Sequence, residues 1–493
     1  MSTETSTSPI GADSTKVLVA ICAATFFGVL NASAVNVVLP QIGRSFEVGP
    51  SMLGWVMSIF LLVYGVAIPF YGKLADRYGA RKLFIGGVGL FGLGSMLCAI
   101  APSLETLLAA RVVQGLGGAA FPGLGMTLAS RAVPPEKRGT ALGYIAATMG
   151  VGAAVGPLIG GIAADFVSWR LLFGASAIAL VVIPAAHASL PKEDTNPNAP
   201  LDLLGGILLA IGVAAGLYSV AEGSRVGWTL PVIVAAVAGV SAMAFLVYHQ
   251  ATTENPFLPR ELLRSATYRR AVTMAFCATG SYLAILIGMP LFLTHFHGLS
   301  PFEIGLVLVP EALLMAVTGV IAGRVVDRIG PRVPTFAGAL MLVVVAIGLS
   351  TTAGNSLVAA VILGGVLGAG YAMLNTPIAA AISTIVEPKV LASALSLNAM
   401  IFFVGGSFGT TAFVAIAEAR TTAGAAWNPA HSGAATAFSD AFIVFVVPMV
   451  LTGILALTLP KRRAGDSDSP TRSNAPSKQA IQSTRPHLSG GTR

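Results

Sequence analysis

The sequence is poor in charge. Only 10% of its 493 residues are Asp, Glu, Lys or Arg, whereas soluble domains carry roughly 25%. Hydrophobic residues make up 55% of the chain, and the mean hydropathy is +0.81. Uncharged runs such as 17–39 and 438–459 recur along the chain, and each is long enough to cross a ~30 Å bilayer core as a helix. The composition argues against a string of soluble domains and indicates an integral membrane protein.

Several chemical signatures are also missing. The three cysteines, Cys22, Cys98 and Cys277, lie in separate apolar runs, so neither a disulfide framework nor a metal site is expected. The sequence has no Gly-x4-Gly-Lys-Ser/Thr loop, which argues against ATP bound by this chain. It also has no nucleophile triad, and no aromatic-basic patch accompanies the net charge of +8. We therefore expect no enzyme, no cofactor and no nucleic-acid partner.

The two ends of the chain are polar. Residues 1–16 are rich in Ser and Thr and lack a basic segment before the first apolar run, so we predict a cytoplasmic tail and no removable signal peptide. Residues 461–493 are rich in Ser, Pro and Arg with few large apolar residues. Such a segment cannot form a core, and we predict a disordered cytoplasmic tail.

Fourteen hydrophobic runs predict fourteen transmembrane helices. They lie near 17–39, 52–71, 83–101, 105–130, 138–164, 169–190, 203–222, 229–249, 270–294, 302–326, 333–352, 355–385, 391–417 and 438–460. An even number puts both termini on one side of the membrane. That side receives all of the 29 basic residues except Arg44, Arg111, Arg170, Arg225 and Arg420. Basic residues collect in cytoplasmic loops, so both termini are predicted to be cytoplasmic.

One loop occurs twice. The segment with Gly72, Asp76, Arg77, Gly79 and Arg81 returns, displaced by 251 residues, as the segment with Gly323, Asp327, Arg328, Gly330 and Arg332. Each copy follows the second helix of a six-helix block. We predict an all-α membrane fold with two pseudo-symmetric bundles, 17–190 and 270–460, two inserted helices over 203–249 and a cytoplasmic linker over 250–269.

This repeated Gly-x-x-x-Asp-Arg-x-Gly-x-Arg loop resembles the signature of the major facilitator superfamily. The resemblance implies that the loops lock one of two transport conformations, with Asp76 and Arg77 in a charge relay. The alternative is an ordinary basic cytoplasmic loop. A second motif, with Arg111 and Gln114 in the fourth helix, resembles another superfamily motif and implies a role for Arg111 in proton coupling. The alternative is an arginine that snorkels to the outer interface.

The fifth helix carries the most discriminating pattern. The spacing of Gly143, Gly152, Gly156, Pro157, Gly160 and Gly161 resembles the antiporter motif of drug/proton exporters. Small residues at this spacing allow close backbone approach, and Pro157 removes a backbone donor. We expect a kinked, glycine-faced helix between the two halves, matched by Gly405 and Gly409 in the thirteenth helix. Packing glycines without a transport role are the alternative.

The end of the first helix, from Leu30 to Pro40, resembles the 14-helix drug:proton antiporter family. The pattern is closest to Gram-positive tetracycline/proton antiporters. Those exporters carry membrane carboxylates at positions that correspond here to Ala32, Ala153 and Gly405. All three residues are neutral, which argues against tetracycline as the substrate.

Glu311 is the best candidate for the proton carrier. It lies near the middle of the tenth predicted helix, beside Pro310 and an apolar run, where burial favours the protonated carboxyl. A permanently protonated, hydrogen-bonded Glu is the alternative. Further polar groups within predicted helices are candidates for substrate contact or for helix–helix hydrogen bonds: Asn31, Asn36, Gln114, Tyr371 and Asn375.

These features predict a secondary transporter that exports amphipathic drugs, antibiotics or lipophilic cations in exchange for protons. Its expected partners are small substrates, protons and membrane lipids, and it is expected to work as a monomer in a bacterial cell membrane. Two other classes stay open. One is a facilitator-fold transporter of a defined metabolite such as an amino acid, sugar or lipid, and the other is a non-transporting membrane sensor.

Overall fold

The fold is built from helices. A computed structural model describes residues 12–48, 50–166, 168–190, 201–299, 301–421, 425–431 and 435–460, and these ranges contain no strand. Fourteen of the described helices are long and apolar enough to cross a membrane. This confirms the predicted all-α class and the predicted number of helices. The predicted tail over 461–493 lies outside the described residues, as does the tail over 1–16 up to residue 11.

The spanning helices are numbered in chain order. They are α1 Ala12–Phe46, α2 Pro50–Tyr78, α3 Ala80–Ala99, α4 Leu104–Gly118 with Ala120–Ala132, α5 Arg138–Phe166, α6 Trp169–Ser176 with Val182–Ser189, α7 Leu203–Val226, α8 Leu230–Thr252, α9 Ala266–His297, α10 Pro301–Ile329, α11 Arg332–Thr352, α12 Leu357–Ile385, α13 Leu391–Ala419, and α14 Thr436–Ile443 with Val446–Ala456. A short helix, Arg260–Arg264, lies within the predicted linker.

Three spans that the sequence predicts as single helices are interrupted. Helix α4 breaks at Ala119, α6 passes through a 3₁₀ turn over Ala177–Val181, and α14 breaks between its two segments. Each break includes or borders the residue four positions before a proline, namely Pro122, Pro184 and Pro448. Proline has no N–H to donate to that carbonyl, so one hydrogen bond of the α-helix is missing there and the helix is locally irregular.

The first six and the last six spans meet along two seams. Helix α2 packs against α13 at one seam, and α5 packs against α10 at the other. The inserted helix α7 contacts both α2 and α13, and α8 packs on α7. Along the first seam, Thr411 Oγ1 donates to Val220 O at 3.4 Å and the Trp55 and Tyr218 rings stack with centroids 6.2 Å apart. The inserted pair therefore covers one seam.

Asp202 holds the inserted pair together. Its Oδ1 accepts from Gly205 N at 2.8 Å and lies 2.8 Å from His249 Nε2, while its Oδ2 accepts from Phe257 N at 2.9 Å. One carboxylate therefore caps α7 and joins it to the end of α8 and to the linker. Burial alone would raise the pKa of Asp202, but the hydrogen bonds from Gly205, His249 and Phe257 outweigh burial, and the pKa is lowered.

Asp202→Ala is expected to destabilise the protein by about 1–2 kcal/mol, because it removes the helix cap and leaves the N–H of Phe257 unpaired. A carboxyl whose pKa is lowered on folding contributes stability above its unfolded pKa of about 4, and that contribution is lost as the pH falls through the folded pKa. Thermal unfolding in detergent measures this effect. The difference in melting temperature between wild type and variant should be constant above about pH 5 and should become smaller below about pH 4.

Glu254→Ala is the control, because Glu254 is an exposed acid of the same linker. It should leave the melting temperature unchanged. A gap between wild type and Asp202→Ala that stays constant down to the most acidic pH would contradict this role for the carboxylate.

Candidate functional site

A cavity of about 390 Å³ lies between the two halves, with walls from α1, α2, α4 and α5 on one side and α9, α12 and α13 on the other. A second chamber of about 180 Å³ shares part of this wall. The main wall is aromatic and sulfur-rich, with Met57, Phe60, Tyr64, Phe121, Met126, Met149, Phe402 and Phe403. Its polar groups are Thr25, Ser33, Thr279, Asn375, Thr376 and Asn398. Among the described residues that line this cavity, none is Asp, Glu, Lys, Arg or His.

Arg111 is fully buried behind this wall. Its Nε donates to Val56 O at 2.9 Å, and its Nη1 donates to Asn31 Oδ1 at 3.1 Å and to Gln114 Oε1 at 2.7 Å. Its guanidinium carbon lies 4.1 Å from the centre of the Phe60 ring. These contacts hold the cation within the first bundle, so the side chain does not snorkel to the interface.

The candidate cavity residues divide into two groups. Asn375 lines both chambers and Tyr371 lines the second. Asn31 and Gln114 are fully buried and do not line either chamber, because their amide oxygens accept from Arg111. Their amide nitrogens donate to Ser176 Oγ at 2.8 Å and to Ser95 Oγ at 2.7 Å, respectively. The side chain of Asn36 lies outside the part of the structure that is described.

Glu311 lies in the other bundle, only 4% exposed. Its Oε1 accepts from the Tyr282 hydroxyl at 2.8 Å. The Tyr282 ring stacks on that of Tyr371 with centroids 4.0 Å apart, and the Tyr371 hydroxyl lies 3.4 Å from Thr279 Oγ1. Tyr282 and Tyr371 line the second chamber and Thr279 lines the main cavity. A hydrogen bond, a ring stack and a hydroxyl pair therefore connect the buried carboxyl, in that order, to the space between the halves.

The sequence did not single out Tyr282 or Thr279. The available signal was their spacing, since residues three apart lie on one face of a helix and both fall near the middle of α9. That face could not be matched to Glu311 without knowing which helix packs against it.

The two repeated loops lie at one end of the bundle, here called the motif end, which is the predicted cytoplasmic end. In both loops the last glycine has a positive φ, 84° at Gly79 and 82° at Gly330. That backbone conformation is costly for other residues. It ends α2 and α10 and turns the chain into the next helix, which explains a glycine at this place in both copies.

The two loop aspartates bind the opposite half to different extents. Asp327 Oδ1 accepts from Gly139 N at 2.8 Å, and its Oδ2 accepts from Thr140 N at 2.7 Å and from Thr140 Oγ1 at 2.5 Å. These groups lie at the start of α5, where the helix dipole favours a negative charge. Asp76 accepts one bond from across the seam, from Ser393 Oγ of α13 at 3.0 Å. The second loop therefore forms the stronger contact between the halves.

The loop arginines do not form the expected relay. Among the described residues, Asp76 makes no ion pair with Arg77, whose guanidinium lies over the Tyr78 ring at 5.4 Å. Arg81 donates to His187 O at 2.5 Å within its own half, and Arg328 is exposed. Besides the bond from Ser393 to Asp76, two later arginines donate across the seam near the first loop: Arg131 to Pro388 O at 3.0 Å and Arg138 to Ser383 O at 2.7 Å.

The glycines of α5 face two different partners. Gly139 and Gly143 approach Gly323 and Gly319 of α10 across the seam, where a Cβ on Gly143 would lie 2.5 Å from Gly319 O. Three others, Gly152, Gly156 and Gly160, pack against α1 in the same half, and Ser33 Oγ donates to Ala153 O at 3.1 Å. Pro157 and Gly161 lie outside the part whose side chains are described. Of the motif glycines, Gly143 therefore lies at the expected interface between the halves. Gly152, Gly156 and Gly160 instead allow α5 to pack closely against α1.

The second half repeats this arrangement. Gly405 and Gly409 of α13 pack against the backbone of α9 in their own half, at Phe276 and Gly280. They fasten α13 to α9 as the motif glycines fasten α5 to α1. Each half thus contains one closely packed helix pair.

Residues 21–410 match the family described as Major Facilitator Superfamily. The multidrug resistance protein Stp of Mycobacterium tuberculosis (strain CDC 1551 / Oshkosh) is 32% identical over 77% of this chain and 71% of its own length. The cephamycin export protein CmcT of Amycolatopsis lactamdurans is 28% identical over 90% of this chain and 92% of its own.

The solved structure of the proton:xylose symporter XylE aligns with a TM-score of 0.66 at 14% identity, covering 92% of this chain and 97% of that chain. This likeness shows the fold. With the match over residues 21–410, it establishes that the chain belongs to the major facilitator superfamily, as its loop motifs predict.

Gly143→Val is expected to separate α5 from α10, because its side chain would meet the Gly319 carbonyl at the motif end. Substrate transport in membrane vesicles should fall by about tenfold, because an added side chain in a closely packed seam forces the backbones apart. A cysteine at the buried position Ala379, which lines the cavity, should react faster with an impermeant maleimide. Gly86→Val is the matched control, since no atom lies within 4 Å of a Cβ at Gly86. Equal labelling in both variants would contradict the role of this contact.

Proposed function

We propose that this member of the superfamily exports amphipathic compounds, with antibiotics as the leading class, in exchange for protons by alternating access. The observation that carries the proposal is the apolar cavity between the halves with one buried carboxyl beside it. A cavity lined by apolar side chains and a few polar groups suits amphipathic ligands of varied shape. An ionisable group at membrane depth is by default a candidate for ion coupling.

The proton would enter and leave at Glu311. In its charged form the carboxylate accepts the Tyr282 hydroxyl bond that is present at 2.8 Å. Protonation converts one carboxyl oxygen into a donor, so this bond weakens or reverses its direction. Tyr282 stacks on Tyr371 at 4.0 Å, so a change at Glu311 shifts an aromatic pair in the chamber wall. Proton loading and substrate occupancy would be coupled through that pair.

Alternating access would require the motif end to open. The bonds from Gly139 and Thr140 to Asp327, and the bonds from Arg131 and Arg138 to carbonyls of the other half, close it in this structure. All of these groups can be solvated by water when the end opens, so the two states can be close in free energy. Rigid-body rocking of two repeats around a central site is a common solution in transporters.

The names of relatives support export. Stp is described as a multidrug resistance protein and CmcT as a cephamycin export protein. The distribution of Lys and Arg supports cytoplasmic termini, which would place the motif end in the cytoplasm of a bacterial cell. The cavity is complete within one chain, which supports action as a monomer.

Glu311→Gln is expected to abolish substrate-driven proton movement in everted vesicles, because the amide cannot bind or release a proton near neutral pH. Membrane insertion and the amount of protein should not change. Glu303→Gln, at an exposed position in the first turn of the same helix, is the matched control and should keep most of the proton flux. Substrate-driven proton movement of wild-type size in Glu311→Gln would remove Glu311 from the mechanism. Proton movement in the same direction as the substrate would favour a metabolite symporter.

A further inference from the structure

The buried guanidinium of Arg111 is held by neutral groups within the described part of the chain. Arg111 is 0% exposed, and its hydrogen bonds go to a carbonyl, two amide side chains and a thioether, from Val56, Asn31, Gln114 and Met57. No described carboxylate pairs with it. Arginine stays protonated in proteins. Its positive charge is therefore solvated by dipoles but not neutralised, and an apolar surrounding screens it weakly.

This charge lies directly behind the cavity wall. Two of the residues that touch the guanidinium, Met57 and Phe60, also line the main cavity. The distances are 3.6 Å from Nη2 to the Met57 sulfur and 4.1 Å from the guanidinium carbon to the Phe60 ring centre. The Phe60 ring is therefore already engaged in a cation–π contact and is a poor site for a second cation. One layer of side chains therefore separates a permanent positive charge from the main cavity.

The described wall of the main cavity has no compensating negative charge. The buried carboxyl of Glu311 lies in the opposite half and lines neither chamber. Its hydrogen-bond partner Tyr282 and the stacked Tyr371 line the second chamber instead. When Glu311 carries its proton it is neutral. The field in the main cavity is then set by Arg111.

We infer that the main cavity binds uncharged or anionic amphiphiles and excludes lipophilic cations, with Arg111 as the residue that sets this preference. The inference rests on the proposed function in taking this cavity as the substrate site, and it removes the lipophilic cations from the substrate classes that the sequence allows. It does not depend on proton coupling.

Tetraphenylphosphonium and tetraphenylborate test the inference, because they share size and shape and differ in the sign of their charge. Binding of each is measured to the full-length protein in nanodiscs, with binding to empty nanodiscs subtracted. The wild type should bind the borate at least tenfold more tightly than the phosphonium, and Arg111→Gln should lose most of this difference. Wild-type protein that binds the phosphonium as tightly as the borate would overturn the inference.

A gain of cation binding provides a second test that does not require Arg111→Gln to fold. Ala32 lines the main cavity, so Ala32→Asp adds a negative charge there, and Ala32→Asn is its neutral match. Ala32→Asp should tighten phosphonium binding at least tenfold relative to Ala32→Asn. An unchanged ratio would overturn the inference.

The proposed proton antiport and the inferred charge preference of the main cavity can be refuted independently of each other. A charge preference without substrate-driven proton movement would refute the antiport and leave the inference standing. Proton-coupled export with the phosphonium as the better substrate would do the reverse.

Discussion

The close contact between α5 and α10 at the motif end is the interaction on which the rest of the architecture depends. Glycines at 139, 143, 319 and 323 bring the two backbones together, and a Cβ on Gly139 would lie 2.5 Å from Gly323 O. Asp327 then reaches the first N–H groups of α5, which have no partner within the helix. Side chains larger than hydrogen would hold the halves apart. With this end closed, the halves enclose a central cavity, and water can replace the described hydrogen bonds of this end when it opens in the proposed cycle.

Two of the buried ionisable side chains, Arg111 and Glu311, are kept apart. Arg111 belongs to the first bundle and Glu311 to the second, and each is held by neutral partners of its own half. A buried ion pair across the seam would have to be broken in each cycle, which costs several kcal/mol by the usual order of magnitude. Charges that stay within their own half avoid that cost, so movement of the halves and protonation of Glu311 can each proceed without separating opposite charges.

Local sequence patterns predict the helices of this fold but not how the helices pair. The runs of apolar residues predict all fourteen helices. Pairing between helices was not predictable, because each glycine face fits any backbone that approaches it. The spacing of Gly152, Gly156 and Gly160 predicts an interface between the halves, yet they contact α1. For Asn31 and Gln114 the sequence leaves open substrate contact or helix–helix hydrogen bonds, because it cannot show that Arg111 lies close enough to donate to their amide oxygens.

The central claim is that the halves move as bodies that close one end when the other opens. Spin labels at the exposed positions Lys82 and Val333 report the motif end, and labels at Met52 and Phe296 report the opposite end. Double electron–electron resonance in nanodiscs measures the distance between the two labels of each pair. These two distances should change in opposite directions when the pH or the substrate concentration is varied. A single unchanged distance at both ends under every condition, or changes of the same sign, would contradict the account.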